Sequence, residues 1–211
     1  IQPVHCVRDL GLYLDFTLSM RHHVTRLTST CFGVLRQIRC IRRRNLSRRA
    51  LAILVTCFGF VRLDYCNDTF IGLPRCDLNR IQAVQNAAVR LVAGAFRFDH
   101  VTRLLRERHW LPVHLRVVYK MAVIVYKCLA ATSADYLTAL TRPPVSTTTL
   151  RLRSADTRCL HVPRTRTGYG DRAFSVAGPR LWNSLPDSVK SASSLGTFKQ
   201  RLKTHLFRSL D

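Results

Sequence analysis

Acidic residues are scarce in this chain. Glutamate occurs once, at Glu107, and aspartate and glutamate together number 12 against 34 lysines and arginines in 211 residues. No two aspartates are adjacent, so the carboxylate pair that holds two metal ions for nucleotidyl transfer is not written here. Of the acids present, Asp64 and Asp68 share a helix face at i, i+4, and their expected role is capping or salt bridging to Arg62 or other arginines. The eight cysteines (6, 31, 40, 57, 66, 76, 128 and 159) include no CxxC pair, which excludes the usual zinc-ligand spacing. Nothing at the start resembles a secretory signal, so the thiols read as buried and free in a reducing, intracellular setting, nuclear or cytoplasmic. Eight histidines are unaccompanied by a GxSxG elbow or an HExxH helix. His22 and His23 read as a solvated helix edge, and His109 as packing or capping within its turn. Gly168, Gly170 and Gly178 lack the GK[ST] ending of a phosphate loop and read as turn formers. The apolar run Ala50–Val61 (ALAILVTCFGFV) is too short to span a bilayer, and Leu115–Ala131 carries Arg116, Lys120 and Lys127.

What is abundant is arginine. The formal net charge is +22, and lysine supplies only Lys120, Lys127, Lys190, Lys199 and Lys203 of the basic total. Such an excess repels itself in a compact fold unless anions neutralise it, and the planar guanidinium fork suits phosphate oxygens. Nucleic acid is the expected partner. An anionic membrane surface and the base composition of the coding DNA are the alternatives. The densest run is Arg39–Arg49 (RCIRRRNLSRR), with Arg39, Arg42, Arg43, Arg44, Arg48 and Arg49 at a helix–helix connection. A second cluster, Arg151, Arg153, Arg158, Arg164 and Arg166, lies in a Thr/Ser/Pro-rich stretch, and Lys199, Arg201 and Lys203 lie off the apolar stripe of a final helix.

Hydropathy is 47% apolar, enough for one or two small cores. Alternation at Leu10, Leu12 and Leu14 predicts one strand over Val7–Asp15. From Thr17 the period becomes helical. Val24, Leu27, Cys31, Val34, Leu35 and Ile38 predict a helix over roughly 20–40. Asn45 or Ser47 is expected to cap the next, with Leu51, Leu54, Val55 and Phe58 as its stripe. Asp77 is the expected N-cap of a helix over 78–95, followed by helices over 100–108 and 114–131. Thr141–Gly168 reads as a basic linker. Beyond it, Cys159–Val162 is a candidate brief strand, Ala173–Val176 a strand or a helix start, and Pro179–Pro186 a tight turn burying Trp182. Ser193 or Ser194 caps a last helix carrying Leu195, Phe198, Leu202 and Leu206. Tyr169, Phe174 and Trp182 are candidate base-stacking rings, with core packing favoured for Phe174 and Trp182.

The expected fold is therefore mainly α. Residues 1–16 carry an orphan strand, 17–140 a helical bundle, 141–168 the basic linker, and 169–211 a small α+β module. The chain opens at Ile1 in what reads as the middle of a folded domain, which suggests a fragment or a truncated gene model.

Five short words occur in order: Leu10–Asp15 (LGLYLD), Arg62–Asn67 (RLDYCN), Val84–Val92 (VQNAAVRLV), His109–Val113 (HWLPV) and Gly170–Val189 (GDRAFSVAGPRLWNSLPDSV). Together they resemble the region downstream of the polymerase core in LINE-type, non-LTR retrotransposon reverse transcriptases of the jockey-like and related clades, over almost the whole chain. The resemblance implies a helical thumb that follows the template–primer duplex of RNA and DNA. It places the first strand at the end of the palm, and the magnesium-binding palm and the endonuclease upstream. It implies no catalytic residue and no cofactor within this chain. The zinc knuckle of some LINE enzymes is not visible. A decayed mobile element without cellular function and a stand-alone basic adaptor for membranes or acidic proteins are the competing expectations.

Overall fold

The computed structural model describes residues 5–42, 46–96, 98–141 and 159–210, with Arg42 described in its backbone alone. The fold is mainly helical with a two-stranded antiparallel sheet at its start. It divides into two compact units, residues 1–116 and 117–211, at a point inside one helix rather than at the expected 140/141 boundary.

In the first unit the single strand predicted over Val7–Asp15 is a hairpin: β1 (Cys6–Asp9) pairs with β2 (Leu12–Asp15), Val7 opposite Leu14 and Arg8 opposite Tyr13. Leu10 and Gly11 form the two-residue turn, both with positive φ (44° and 85°), as the primed hairpin turns demand. Alternation alone did not reveal the break, because a turning leucine looks like a strand leucine in sequence. Leu10 is 80% exposed as a result.

Helix α1 (Arg21–Arg42) buries Val24, Cys31, Leu35 and Ile38 on the predicted stripe. It packs on α4 (Arg75–Ala93), whose Ile81, Val84, Ala88 and Leu91 supply the facing stripe. Pro74, not Asp77, precedes the first turn of α4. Proline's fixed φ is preorganised for a helix start, which moves Asp77 inside, where it is buried and pairs with Arg80 at 3.6 Å. Helix α2 (Arg48–Leu54) is capped by Ser47, whose hydroxyl accepts from Ala50 N at 3.2 Å; Asn45 lies outside the described residues.

Helix α2 runs directly into a π-helical segment, Val55–Phe60, and then α3 (Val61–Asp64). The Val61 N–H donates to the Thr56 carbonyl, five residues back. The surplus residue rotates the stripe: Gly59 and Phe60 are buried, while Phe58, expected in the core, is 55% exposed. A short 3₁₀ turn (Asn67–Phe70), α5 (Val101–Glu107) and the start of α6 (Val113–Leu129) complete this unit.

The second unit is built on Val117, Met121, Val125 and Cys128 of α6. With these go α7 (Asp135–Thr141), α8 (Gly168–Arg172), α9 (Phe174–Ser184), α10 (Asp187–Lys190) and α11 (Leu195–Arg208). Ser194 caps α11 as expected, accepting from Thr197 N. Where a tight turn was expected, Pro179 sits inside α9. A proline there removes one backbone hydrogen bond, but burial of Val176, Ala177 and Trp182 on one face holds the helix. Gly168, Gly170 and Gly178 are helical rather than turn residues. At Gly178 an added Cβ would lie 3.1 Å from Val125 Cγ2, so the glycine lets α9 approach α6 closely.

Cys159–Val162, the candidate strand, joins no sheet. Instead, the Asn183 side chain bonds both polar backbone atoms of Leu160, accepting from its N–H at 2.7 Å and donating to its carbonyl at 2.8 Å. One amide takes the place of a neighbouring strand, so the described part of this unit is all helix and coil.

Candidate nucleic-acid interface

Four of the five sequence words meet as joints of the first unit. The Tyr65 hydroxyl donates to the Leu10 carbonyl at 2.7 Å, and its ring closes over Gly11. This ties RLDYCN to LGLYLD. Asp15 accepts from Ser19 N at 2.7 Å, from Ser19 Oγ and from Thr17 Oγ1, and so fixes the entry to α1. Partial burial raises the Asp15 pKa, but those hydrogen bonds outweigh it and hold the carboxyl below its ordinary value.

Asp64 accepts a two-pronged bond from Arg116, Nε to Oδ1 at 2.8 Å and Nη2 to Oδ2, and a third bond from Asn67 Nδ2. The Arg116 guanidinium also lies over the Phe60 ring, 5.0 Å from its centroid. Phe60 meets Trp110 edge to face at 4.4 Å. Gln82 Oε1 accepts from Val113 N, and the fully buried Gln85 donates to the Leu111 carbonyl at 2.8 Å. RLDYCN, HWLPV and the helix of VQNAAVRLV thus converge on one aromatic and polar hub. Paired acids for magnesium do not fit there, since the Asp64 carboxylate is committed to Arg116.

The fifth word builds the second unit. Trp182 is 3% exposed and stacks on Phe198 at 5.9 Å, with Tyr126 on Phe198 at 4.4 Å. That leaves Trp182 no face for a nucleobase. Phe174 is half-buried and Tyr169 exposed. Asp171 accepts from Thr165 Oγ1 at 2.7 Å and pairs with Arg180 at 3.0 Å, and both lower its pKa.

The basic candidates fall into three groups. Arg39 on α1 and Arg48 and Arg49 in the first turn of α2 are exposed. That turn carries no acid, so its arginines add to the positive end of the helix dipole. Arg164 and Arg166 are exposed in the coil before α8. Lys199 and Arg201 are exposed on α11, and Lys203 is half-buried with its ammonium 5.9 Å from the Phe207 ring. Arg201 also turns back on its own unit, donating to the Ser188 carbonyl at 2.8 Å. Arg43, Arg44, Arg151, Arg153 and Arg158 lie outside the described residues, as does the Arg42 side chain.

Two side-chain expectations are corrected. Only Cys31 and Cys128 are buried; Cys40, Cys57, Cys76 and Cys159 are exposed. Burial pushes the Cys31 thiol up to about 11 despite the opposing pull of Arg62, which makes it inert. His22 is exposed as expected, but His23 is buried between Tyr13 and Phe70 and accepts from Tyr13 N. Burial lowers the pKa of His23, and burial with the Arg75 charge lowers that of His114. Among the described residues, no three metal-ligating side chains cluster and no helix is long and apolar enough to cross a membrane.

Sequence patterning did not point to a slot of about 410 Å³ on the first unit. One wall is the α2–π-helix junction: Arg49, Ala52, Ile53, Thr56 and Cys57. The other is Arg108 and Trp110. No periodicity rule flags a π segment, and Trp110 reads as an ordinary core residue in HWLPV.

Compared with known proteins, the chain matches no family model, no curated protein and no solved structure.

Proposed function

We propose that this chain is the thumb and downstream portion of a non-LTR retrotransposon RNA-directed DNA polymerase, in which it grips the template–primer duplex through arginine–phosphate contacts. Phosphate contacts position a duplex without reading its sequence. Nucleotide addition belongs to a palm outside these residues. Magnesium would act there, in the nuclear or cytoplasmic setting where the nucleic acid is found.

One observation carries this reading. Residues of four motif words, spread from Leu10 to Val113, are spent on internal joints, while Arg39, Arg48 and Arg49 stand exposed on the same unit. The motif side chains hold a scaffold, and the cations it displays are left for an external polyanion. Among the described residues, Arg39, Arg48 and Arg49 form no ion pair.

The test is binding of the purified chain to an RNA–DNA duplex across a salt series, with anionic vesicles as the second arm. The expected result is duplex affinity that falls steeply with salt, weak vesicle binding, and no primer extension with magnesium or manganese. Tighter binding to vesicles than to duplex would favour a membrane adaptor. Reproducible extension by clean protein would overturn the assignment of chemistry elsewhere.

A further inference from the structure

We propose that the slot between the π-helical segment and Trp110 is a nucleotide pocket. In it an unpaired base of a single strand stacks on the indole, while Arg49 and Arg108 hold the flanking phosphates. This rests on the nucleic-acid reading above and adds to it a specific site for unpaired bases, distinct from duplex gripping.

Three features of the slot converge. The first is rigidity. Trp110 is held edge to face by Phe60, which in turn carries the Arg116 guanidinium over its ring. The loop leading in is fixed by the Trp110 N–H to Leu105 carbonyl bond at 2.9 Å and by Val113 N–H to Gln82. A preset aromatic ring loses little freedom when a base stacks on it.

The second is the opposite wall. Regular α geometry would have turned Phe58 toward the core; the π segment instead faces Ile53, Thr56 and Cys57 into the slot, small or aliphatic groups that leave room beside the ring. Helices adopt a π segment rarely and often at functional sites. The volume lies within the about 300–1,000 Å³ usual for ligand pockets.

The third is charge. A cation stands on each wall, Arg49 and Arg108, and among the described residues neither is in an ion pair. An apolar floor between two guanidinium groups complements a base between two phosphates. It does not complement a neutral apolar ligand, which has no use for the arginines. Paired bases in a duplex are also excluded, because their faces are already stacked.

The experiment compares a short poly-uridine strand with an abasic strand of equal length and charge. Trp182→Phe protein leaves Trp110 as the sole indole, and its fluorescence reports stacking. In parallel, alkylation of each exposed cysteine in the unaltered chain by a maleimide is mapped by mass spectrometry. The base-bearing strand is expected to quench Trp110 and to protect Cys57 but not Cys76 or Cys159, while the abasic strand does neither. Trp110→Leu is expected to weaken poly-uridine binding between about five-fold and about a hundred-fold and to leave abasic binding unchanged. Equal, salt-sensitive binding of both strands, with Trp110 unquenched and Cys57 unprotected, overturns the pocket and leaves the arginine grip standing. Failure of folded protein to bind either strand or the RNA–DNA duplex overturns both. The Cys57 footprint needs no substitution, so it decides the matter even if Trp110→Leu fails to fold.

Discussion

Asp64 and Arg116, 52 positions apart, close a two-pronged ion pair that joins the end of α3 to the start of α6. Both are partly shielded, with 40% and 21% of their side chains exposed. Arg116→Ala is therefore expected to cost about 1–2 kcal/mol, between the values for exposed and buried pairs. Urea unfolding followed by circular dichroism measures it. Arg116→Lys should recover only part of the loss, because an ammonium cannot make two parallel bonds to one carboxylate.

Arg48 and Arg49 stand exposed at the start of α2. Changing both to Ala should lower duplex affinity and reduce the slope of log K against log salt by about 1.8, roughly 0.9 for each lost phosphate contact. An unchanged slope would identify them as solvated charges with no phosphate partner.

Trp182 is almost fully enclosed against Phe198. Trp182→Ala is expected to destabilise the second unit by about 3–5 kcal/mol, seen as an earlier melting transition in calorimetry. Weaker RNA binding with unaltered melting would show the ring to be a stacking surface after all.

Gly11 holds φ at 85° beneath the Tyr65 ring. Gly11→Ala is expected to cost about 1–2 kcal/mol through the left-handed backbone alone, and the 3.2 Å approach to Tyr65 Cε1 adds to it. Tyr65→Phe, which keeps the ring and loses the bond to the Leu10 carbonyl, should cost about 1 kcal/mol. Thermal melts of the two variants compare them directly.

Acid should weaken the fold below neutrality. His23 and His114 sit below the ordinary histidine value of 6.5 in the folded chain. The unfolded chain therefore binds more protons as pH falls through about 6.5, and stability drops from there toward the lower folded values. Melting temperature is expected to be lower at about pH 5.5 than at about pH 7.5. His23→Gln should flatten the change and leave the share of His114. A profile untouched by His23→Gln would show that the buried imidazole does not contribute.

Helices were legible because their stripes are long: Val24 to Ile38 and Ile81 to Val92 each repeat through several turns, and Ser47 and Ser194 cap where their side chains suggest. What stayed hidden was set by single residues acting against a local rule. Leu10 takes a positive φ that leucine avoids, held by a tyrosine far along the chain. Pro179 continues a helix because tertiary burial outweighs one missing hydrogen bond. Pro74 displaced Asp77 as the start of α4. At the candidate interface, arginine density marked the exposed positions Arg39, Arg48 and Arg49. It gave no sign of Trp110, whose exposed face depends on a helix one residue out of α register. The motif words were visible as words, but that they join to one another follows only from distances such as Asp64 to Arg116.

The π-helical segment has one more consequence. A π turn is an α-helix carrying one residue too many. Deleting any single residue between Val55 and Phe60 would restore ordinary hydrogen bonding while turning everything after it by about 100° and drawing it back by about 1.5 Å. Leu63 would leave the core and Asp64 would swing away from Arg116. Substitution at Phe58, whose ring faces water, would disturb far less. This stretch is therefore more sensitive to insertion and deletion than to the identity of its residues: what it encodes is a count rather than a spelling.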